Sequence, residues 1–329
     1  MMSTYLVTGG AGFIGSNLVD RLLELNNQVI VIDNFNDYYN PEIKMNNIGN
    51  AVRSINYKIY KEDIRNREGL KRIFDENNID CVIHLAAMAG VRPSLENPIT
   101  YQEVNIIGTN NLLEEMKNHN INNLVMASSS SVYGNSKIFP LKEDMSVNNP
   151  ISIYAETKKS NELMTHVYHH IYEMNVIMLR LFTVYGKRQR PDLAINKFIN
   201  KILNNEEIEM YGNGETFRDY TYIDDIVEGI IKSINYVENN NKVYEVINLG
   251  SSNPIKLIDM INVIGNTLNI NPLIKKMDMQ PGDVYGTYAD ISKAKKLLGY
   301  NPQTSFEDGI REYINSIKAN EIGEKSNKI

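Results

Sequence analysis

Cysteine is almost absent and tryptophan wholly so: one Cys and no Trp occur in 329 residues. Cys81 can form no disulfide within the chain, and its place in the apolar run CVIHLAA marks a small core residue rather than a nucleophile. No apolar stretch reaches the ~18 residues of a membrane helix, and no leader-like segment precedes the first strand-like run. A reducing, cytoplasmic setting without membrane contact is therefore expected. Positive charge is in deficit, with Lys+Arg 34 against Asp+Glu 40 and a net charge of -6, which argues against a nucleic-acid partner. Internal repeats and metal-ligand spacings are also lacking, so no metal is expected. What remains is a composition with 42% hydrophobic and 22% charged residues, ordinary for a folded chain with a large core.

Short apolar runs alternate with helical periodicity along the first half. Residues 5–8, 29–33, 57–60, 81–87, 124–128 and 176–182 read as strands. Helical patterns start near Phe13 and cover 67–77, 109–117 and 155–172. This alternation predicts an α/β fold, a doubly wound parallel Rossmann sheet with helices on both faces. Residues 1–185 form that sheet domain, with a return strand near 245–250. After Gly186, Pro191, Gly212 and Gly214 punctuate shorter pieces, and a helix covers 291–298. Residues 186–329 are expected to form mainly a smaller α/β substrate lobe, fraying from about Asn320.

The segment Thr8-Gly9-Gly10-Ala11-Gly12-Phe13-Ile14-Gly15 lies between a strand and a helix. Glycines there let backbone N–H groups approach a pyrophosphate, and the helix N-terminus favours its charge. A purely steric glycine turn is the alternative. Asp33, closing the second strand, can accept both ribose hydroxyls of an adenosine. No arginine follows it closely, so NAD is favoured over NADP. Asp63 and Ile64, after the third strand, would flank the adenine, unless Asp63 merely caps the next helix.

Tyr154 and Lys158 stand four residues apart, on one face of a helix. A phenol of pKa about 10 is a poor base at neutral pH. A lysine beneath it and a cationic nicotinamide would both favour the phenolate. Ser128-Ser129-Ser130-Ser131 follows a strand, where hydroxyls face the ligand crevice of an open α/β sheet. Read blandly, these are a surface Tyr/Lys pair and a serine-rich turn.

With the glycine motif, Ser129, Tyr154 and Lys158 in hand, the chain resembles an extended short-chain dehydrogenase/reductase acting on nucleotide sugars. It is most similar to UDP-glucuronate 4-epimerases, through Asp33-Asn34-Phe35-Asn36-Asp37-Tyr38-Tyr39, Ala89-Gly90-Val91-Arg92, the run 154–164, Phe182-Thr183-Val184-Tyr185-Gly186, Arg190-Pro191-Asp192-Leu193-Ala194 and Gln280-Pro281-Gly282-Asp283-Val284. The resemblance implies a tightly bound NAD and transient oxidation at C4 of a UDP-sugar. Tyr154 would be the base on O4, Lys158 its partner on the nicotinamide ribose, and Ser129 a second hydrogen bond to O4. Gly9, Gly12, Phe13, Ile14, Asp33, Asn34, Asp63, Ile64, Leu85, Ala86, Ala87 and Asn105 would serve the cofactor. Arg218 and Asp283 would hold the UDP phosphate and ribose. Ser130, Ser131, Thr183 and Arg190 would meet the C6 group, with Arg92 also on the substrate side, and hydroxyls with a guanidinium suit a carboxylate. Arg190 could instead form a salt bridge joining the lobes.

Three residues depart from the pattern of these relatives. Glu156 stands where alanine is usual, Lys187 where proline is common, and Met279 where some UDP-hexose epimerases carry a phosphate-binding arginine. Ser130 and Ser131 occupy positions where decarboxylases and 4,6-dehydratases of the superfamily carry acids. Three readings stand: a UDP-glucuronate 4-epimerase; a 4-epimerase of UDP-glucose or UDP-N-acetylglucosamine or a UDP-N-acetylglucosamine 4,6-dehydratase; and a catalytically silent nucleotide-sugar sensor. Relatives pair two helices across a two-fold axis as a four-helix bundle. A homodimer is therefore expected through apolar outer faces at Leu112, Met116, Met164, Val167 and Ile171.

Overall fold

Apolar alternation decides which way each strand faces. In the computed structural model, which describes residues 2–278 and 284–326, the first six strands are β1 (Thr4–Thr8), β2 (Gln28–Asp33), β3 (Tyr57–Lys61), β4 (Cys81–His84), β5 (Asn123–Ser129) and β6 (Asn175–Leu181). Along β5, Leu124 and Met126 enter one apolar core while Val125 and Ala127 enter the other, the period of two that a pleated strand imposes. Both faces are covered, so the strands read as nearly unbroken apolar runs. The helices so far are α1 (Phe13–Glu24), α2 (Pro41–Asn47), α3 (Arg67–Glu76), α4 (Val91–Glu96), α5 (Pro98–Gln102), α6 (Thr109–Asn118) and α7 (Ile153–Tyr172). Leu18, Val19 and Leu22 of α1 fill one core, and Leu70, Ile73 and Phe74 of α3 fill the opposite one. Each such fully buried side chain contributes about 1.5–3 kcal/mol.

The later elements are β7 (Thr183–Tyr185), α8 (Ala194–Leu203), β8 (Ile208–Tyr211), β9 (Phe217–Tyr222), α9 (Ile223–Asn239), β10 (Tyr244–Leu249), β11 (Pro254–Lys256), α10 (Leu257–Leu268), β12 (Ile274–Met277), α11 (Ser292–Leu298) and α12 (Phe306–Ser326). Seven strands form the main sheet in the order β10-β6-β5-β4-β1-β2-β3, every neighbouring pair parallel. The chain leaves β1 toward β2 and returns to β4 on the other side. This reversal opens a crevice at the carboxyl ends of β1 and β4. Strands β11, β9 and β7 form a small second sheet, and β12 pairs with β8. Helix α9 packs beside α1 against the main sheet.

Three expectations need correction. Strand β4 ends at His84, three residues early, and Leu85, Ala86 and Ala87 leave the sheet to line the crevice. Helix α12 runs to Ser326, past the point where fraying was expected. Leu112 and Met116 are fully buried against the sheet rather than on an outer face, and Met164 is partly buried on the same core. Val167 and Ile171 do face outward, joined by Leu163, Ile99 and Ile107.

A buried ionic network ties α7 to the sheet. Arg180 on β6 donates from Nε and Nη2 to both carboxylate oxygens of Glu162, at 2.8 and 2.9 Å. Ser128 donates to the same carboxylate at 2.8 Å, and Arg180 Nη1 donates to the Tyr133 hydroxyl, which in turn donates to Asn248 on β10. Removing one partner of such a pair leaves a stranded charge, whereas removing both need not. Glu162→Leu should therefore cost about 3–5 kcal/mol in chemical unfolding, and adding Arg180→Met should restore part of that loss. Equal or greater destabilisation in the double variant would contradict this account.

Candidate active site

Where the main sheet reverses direction, two loops touch. Gly9 has φ +72°, and a Cβ there would come within 2.8 Å of the Ala86 nitrogen. A Cβ on Gly15 would lie 2.2 Å from the Gly9 carbonyl oxygen. Only glycine lets the β1 loop, the β4 loop and the start of α1 approach this closely. Gly12 is the N-cap of α1 and offers no side chain to its first turn, so the backbone N–H groups there suit an anion.

A cleft of about 370 Å³ opens above these loops. Gly9, Gly12, Phe13, Ile14, Asp33, Asn34, Asp63 and Ile64 line its nucleotide end, and Leu85, Ala86 and Ala87 its floor. Ser129, Tyr154, Lys158, Thr183 and Arg190 close the far end. The glycine cradle, the acid at the end of β2 and the helix N-terminus fit a dinucleotide. Asn105 is the exception among the expected cofactor residues, since it does not line the cleft. It sits in a π-helical turn, Glu103–Gly108, where its amide donates to the Met88 carbonyl at 3.0 Å and to Thr157 on α7, and accepts the Met88 N–H at 2.8 Å. It ties the β4 loop to α7 and so steadies the floor of the cleft.

Asp33 already has partners. It accepts the Ala11 and Phe35 N–H groups and an ion pair from Lys44 at 3.2 Å, with both side chains buried. Lys44 was not anticipated. The signal was present, because Lys44 is the only cation in the dozen residues after Asp33, and a buried carboxylate needs one. Asp63 accepts from Asn34 at 2.9 Å and from Arg65, whose hydrogen bond holds it at about 2 despite burial.

Helix α7 begins where Ser152 caps it, its hydroxyl accepting the Ala155 N–H at 3.1 Å. That start puts Tyr154 in the first turn and Lys158 one turn on. The Tyr154 phenol is raised by burial, while the Ser129 hydrogen bond and the Arg190 charge pull it down. Lys158 lines the same end of the cleft. Its ammonium donates to the Ala127 carbonyl at 2.7 Å, and burial lowers it to about 8. Ser129 Oγ accepts the Ser131 N–H at 3.1 Å, which fixes the serine turn. Ser128 points the other way, into the Glu162 network.

A second cavity of about 340 Å³ adjoins the first, and Thr183 lines both. Arg92, Ser130, Ser131 and Arg218 line this second space, whereas Arg190 belongs to the first. The expected C6 residues are thus shared between two adjoining spaces, with Thr183 common to both and Ser131 Oγ 3.1 Å from Ser129 Oγ in the first. Among the described residues Arg190 forms no lobe-joining bridge; it pairs with Asp192 two residues on, and its guanidinium lies 4.9 Å from the Tyr38 ring centre. Arg218 donates to the carbonyls of Phe217 and Val284, bracing the loop that enters from residue 284. Asp283 and Met279 lie outside the described residues. Glu156 accepts from Gln102 at 2.6 Å and Ser160 at 2.9 Å, so it braces α7 against α5 and is spent away from the base. Lys187 pairs with Asp224 at the start of α9. Among the described residues no group of His, Cys, Asp and Glu could hold a metal ion.

Comparison with known proteins agrees with this geometry. A family profile described as GDP-mannose 4,6 dehydratase matches residues 6–313. A UDP-glucuronate 4-epimerase of Thermodesulfobacterium geofontis is 43% identical over 320 residues, 97% of each chain. The crystal structure of UDP-glucuronic acid 4-epimerase from Bacillus cereus, in complex with UDP-glucuronic acid and NAD, superposes with a TM-score of 0.90 at 36% identity, covering 96% of this chain and 99% of that one. A UDP-N-acetylglucosamine 4-epimerase from Methanobrevibacter ruminantium, in complex with UDP-N-acetylmuramic acid, reaches 0.88 at 34% identity, over 97% and 100% of the two chains.

One buried group makes a pH test. Thr109 donates its hydroxyl proton to the Asn105 carbonyl, so the His84 Nε2–H must donate to Thr109, at 2.9 Å. Thr8 then donates to His84 Nδ1 at 2.6 Å while accepting the Ala86 N–H. This chain needs a neutral ring, and burial holds it so, lowering the pKa from 6.5 to about 3. Its stabilisation is complete above pH 6.5 and is lost as pH falls toward 3, because the unfolded chain protonates first. His84→Gln should melt below wild type at about pH 7.5, with the gap narrowing by about pH 5. A gap independent of pH would exclude the neutral-ring account.

Proposed function

The chain belongs to the family described as GDP-mannose 4,6 dehydratase, within the extended short-chain dehydrogenases/reductases, and from that premise we propose that it is an NAD-dependent 4-epimerase interconverting UDP-glucuronate and UDP-galacturonate. The observation that carries this reading is the convergence of Tyr154, Ser129, Lys158 and Arg190 on the end of the glycine-cradled cleft. NAD, held along the glycine-cradled cleft, would supply a reversible hydride acceptor for C4 of the sugar. Tyr154 takes the O4 proton and gives it back, and the Ser129 hydroxyl holds O4 against it. Lys158 holds the ribose hydroxyls beside the phenol, and Asp33 with Lys44 holds the adenosine ribose. The loop braced by Arg218 keeps the UDP half in the second cavity while the sugar turns at Thr183.

Arg190 favours an acidic sugar over a neutral one, since charge-assisted contacts are the strong ones. Among the described residues no Asp or Glu lines the second cavity, and Glu156 is engaged by Gln102 and Ser160. That argues against the elimination a 4,6-dehydratase performs. The exposed Leu163, Val167 and Ile171, spaced four apart on α7, together with Ile99 and Ile107, suit a homodimer through a four-helix bundle. Among the described residues no helix is long and apolar enough to cross a membrane, and we place the enzyme in the cytoplasm.

Purified protein given UDP-glucuronate without added NAD should form UDP-galacturonate, read by NMR. Tyr154→Phe should lower kcat about 10²–10⁴-fold while the dinucleotide stays bound. Full activity in that variant, or a persistent 4-keto-6-deoxy product from the wild type, would overturn the assignment. Val167→Glu should convert a dimer to a monomer on size-exclusion chromatography; unchanged elution would place the interface elsewhere.

A further inference from the structure

We propose that Asp192 is a resident counter-ion for Arg190, positioning its guanidinium and keeping its hold on the sugar carboxylate weak enough to exchange during turnover. The proposal rests on the UDP-glucuronate reading given above. Arg190 donates from Nε to one Asp192 oxygen at 2.9 Å and from Nη2 to the other at 2.6 Å. This is the two-pronged geometry in which arginine binds carboxylates most strongly. The face of the guanidinium rests on Tyr38, and its side chain is 16% exposed. Its Nη1 donors have no hydrogen bond among the described residues. Arg190 thus lines the cleft beside Tyr154 and Thr183 with one edge spent and its charge already balanced. Burial would raise the Asp192 carboxyl, but Arg190 outweighs it and holds the group below its usual range, so the pair stays ionised at neutral pH.

The reaction makes a demand that a simple clamp would defeat. The pyranose must present both faces to the cofactor, so its carboxylate must leave its contacts and remake them in each turnover. An arginine with its full charge and both prongs available would bind ground state and transition state alike, lowering KM without raising kcat. With Asp192 in place, the sugar carboxylate meets a cation whose best edge is occupied. Each time the carboxylate lets go, Arg190 keeps a partner and its rotamer. Asp192 itself is exposed and makes no other side-chain hydrogen bond among the described residues, so the fold does not depend on it.

The test substitutes Asp192→Asn, which keeps the size and one acceptor but removes the charge. In a Tyr154→Phe background, calorimetric Kd for UDP-glucuronate should tighten about three- to tenfold, the scale of one screened charge. Kd for UDP-glucose, which has no carboxylate, should not move. In the otherwise wild-type enzyme, KM for UDP-glucuronate and kcat should both fall, and Asp192→Glu should recover most of kcat. A merely structural role predicts the reverse: weaker binding of both sugar nucleotides and a lower melting temperature. Unchanged or weakened UDP-glucuronate binding, or an equal shift with UDP-glucose, would refute the counter-ion role alone. A wild type that does not epimerise UDP-glucuronate would refute the substrate assignment, and this proposal with it.

Discussion

Lys158 is an ammonium sealed from water with, among the described residues, a carbonyl for a partner and no carboxylate. A lone buried cation is costly, and burial accordingly lowers its pKa to about 8. The surroundings of α7 are arranged around tolerating it. The helix face turned toward the sheet carries Thr157, Lys158, Asn161, Glu162 and Thr165, where an ordinary amphipathic helix would carry leucine. Most of these polar groups have a fixed partner: Asn105 for Thr157, Ala127 for Lys158, Arg180 for Glu162. Directional bonds permit one axial register, whereas apolar packing tolerates sliding. Tyr154 inherits its position from that register.

In the proposed reaction, the base and the recognition of the sugar are coupled through the same charge. Burial alone would leave the Tyr154 phenol too weak an acid for its role, and the two groups that oppose burial are Ser129 and Arg190. Ser129 also meets the reacting oxygen in the proposed reaction, and Arg190 the carboxylate. A substrate that engages Arg190 therefore alters the field at the base, so affinity at C6 and reactivity at C4 do not vary independently. Asp192 and Tyr38 set how much of the guanidinium charge is available to either task.

The parts of this site that were legible from sequence are those whose physics is local. Glycines at 9, 12 and 15, the Tyr154/Lys158 spacing, Ser129 and Asp33 each act through a turn or a strand end, and strand alternation was enough to place them around one crevice. The unread parts depend on contacts distant in sequence. Arg180 and Glu162 look like any two charges until β6 and α7 are packed together. Asn105 was expected to steady the cofactor region, but the π-helical turn that points its amide at Met88 leaves no mark on hydrophobic periodicity. Leu112 and Met116 have the four-residue spacing of an outer stripe, but a stripe does not say which of two apolar neighbours it faces. Here the sheet won. The Ala127 carbonyl that accepts from Lys158 comes from β5, distant in sequence from α7.

The two cavities that meet at Thr183 give the proposed rotation a mechanical basis. On one side, Arg218 fixes the backbone of its own strand and of the loop at Val284, so the walls of the second cavity are braced by hydrogen bonds between segments. On the other, the sugar end is served by donors from separate segments: Ser130 and Ser131 from the serine turn, and Arg190 from the loop after β7. Donors on a single wall would hold a carboxylate in one orientation and oppose any turning of the ring. Donors split across the junction allow the carboxylate to pass from one set to the other while Thr183 stays within reach of both. A pocket built to hold one face of one sugar would concentrate those groups; here they are divided, and the division suits an enzyme that must bind two epimers with nearly equal strength.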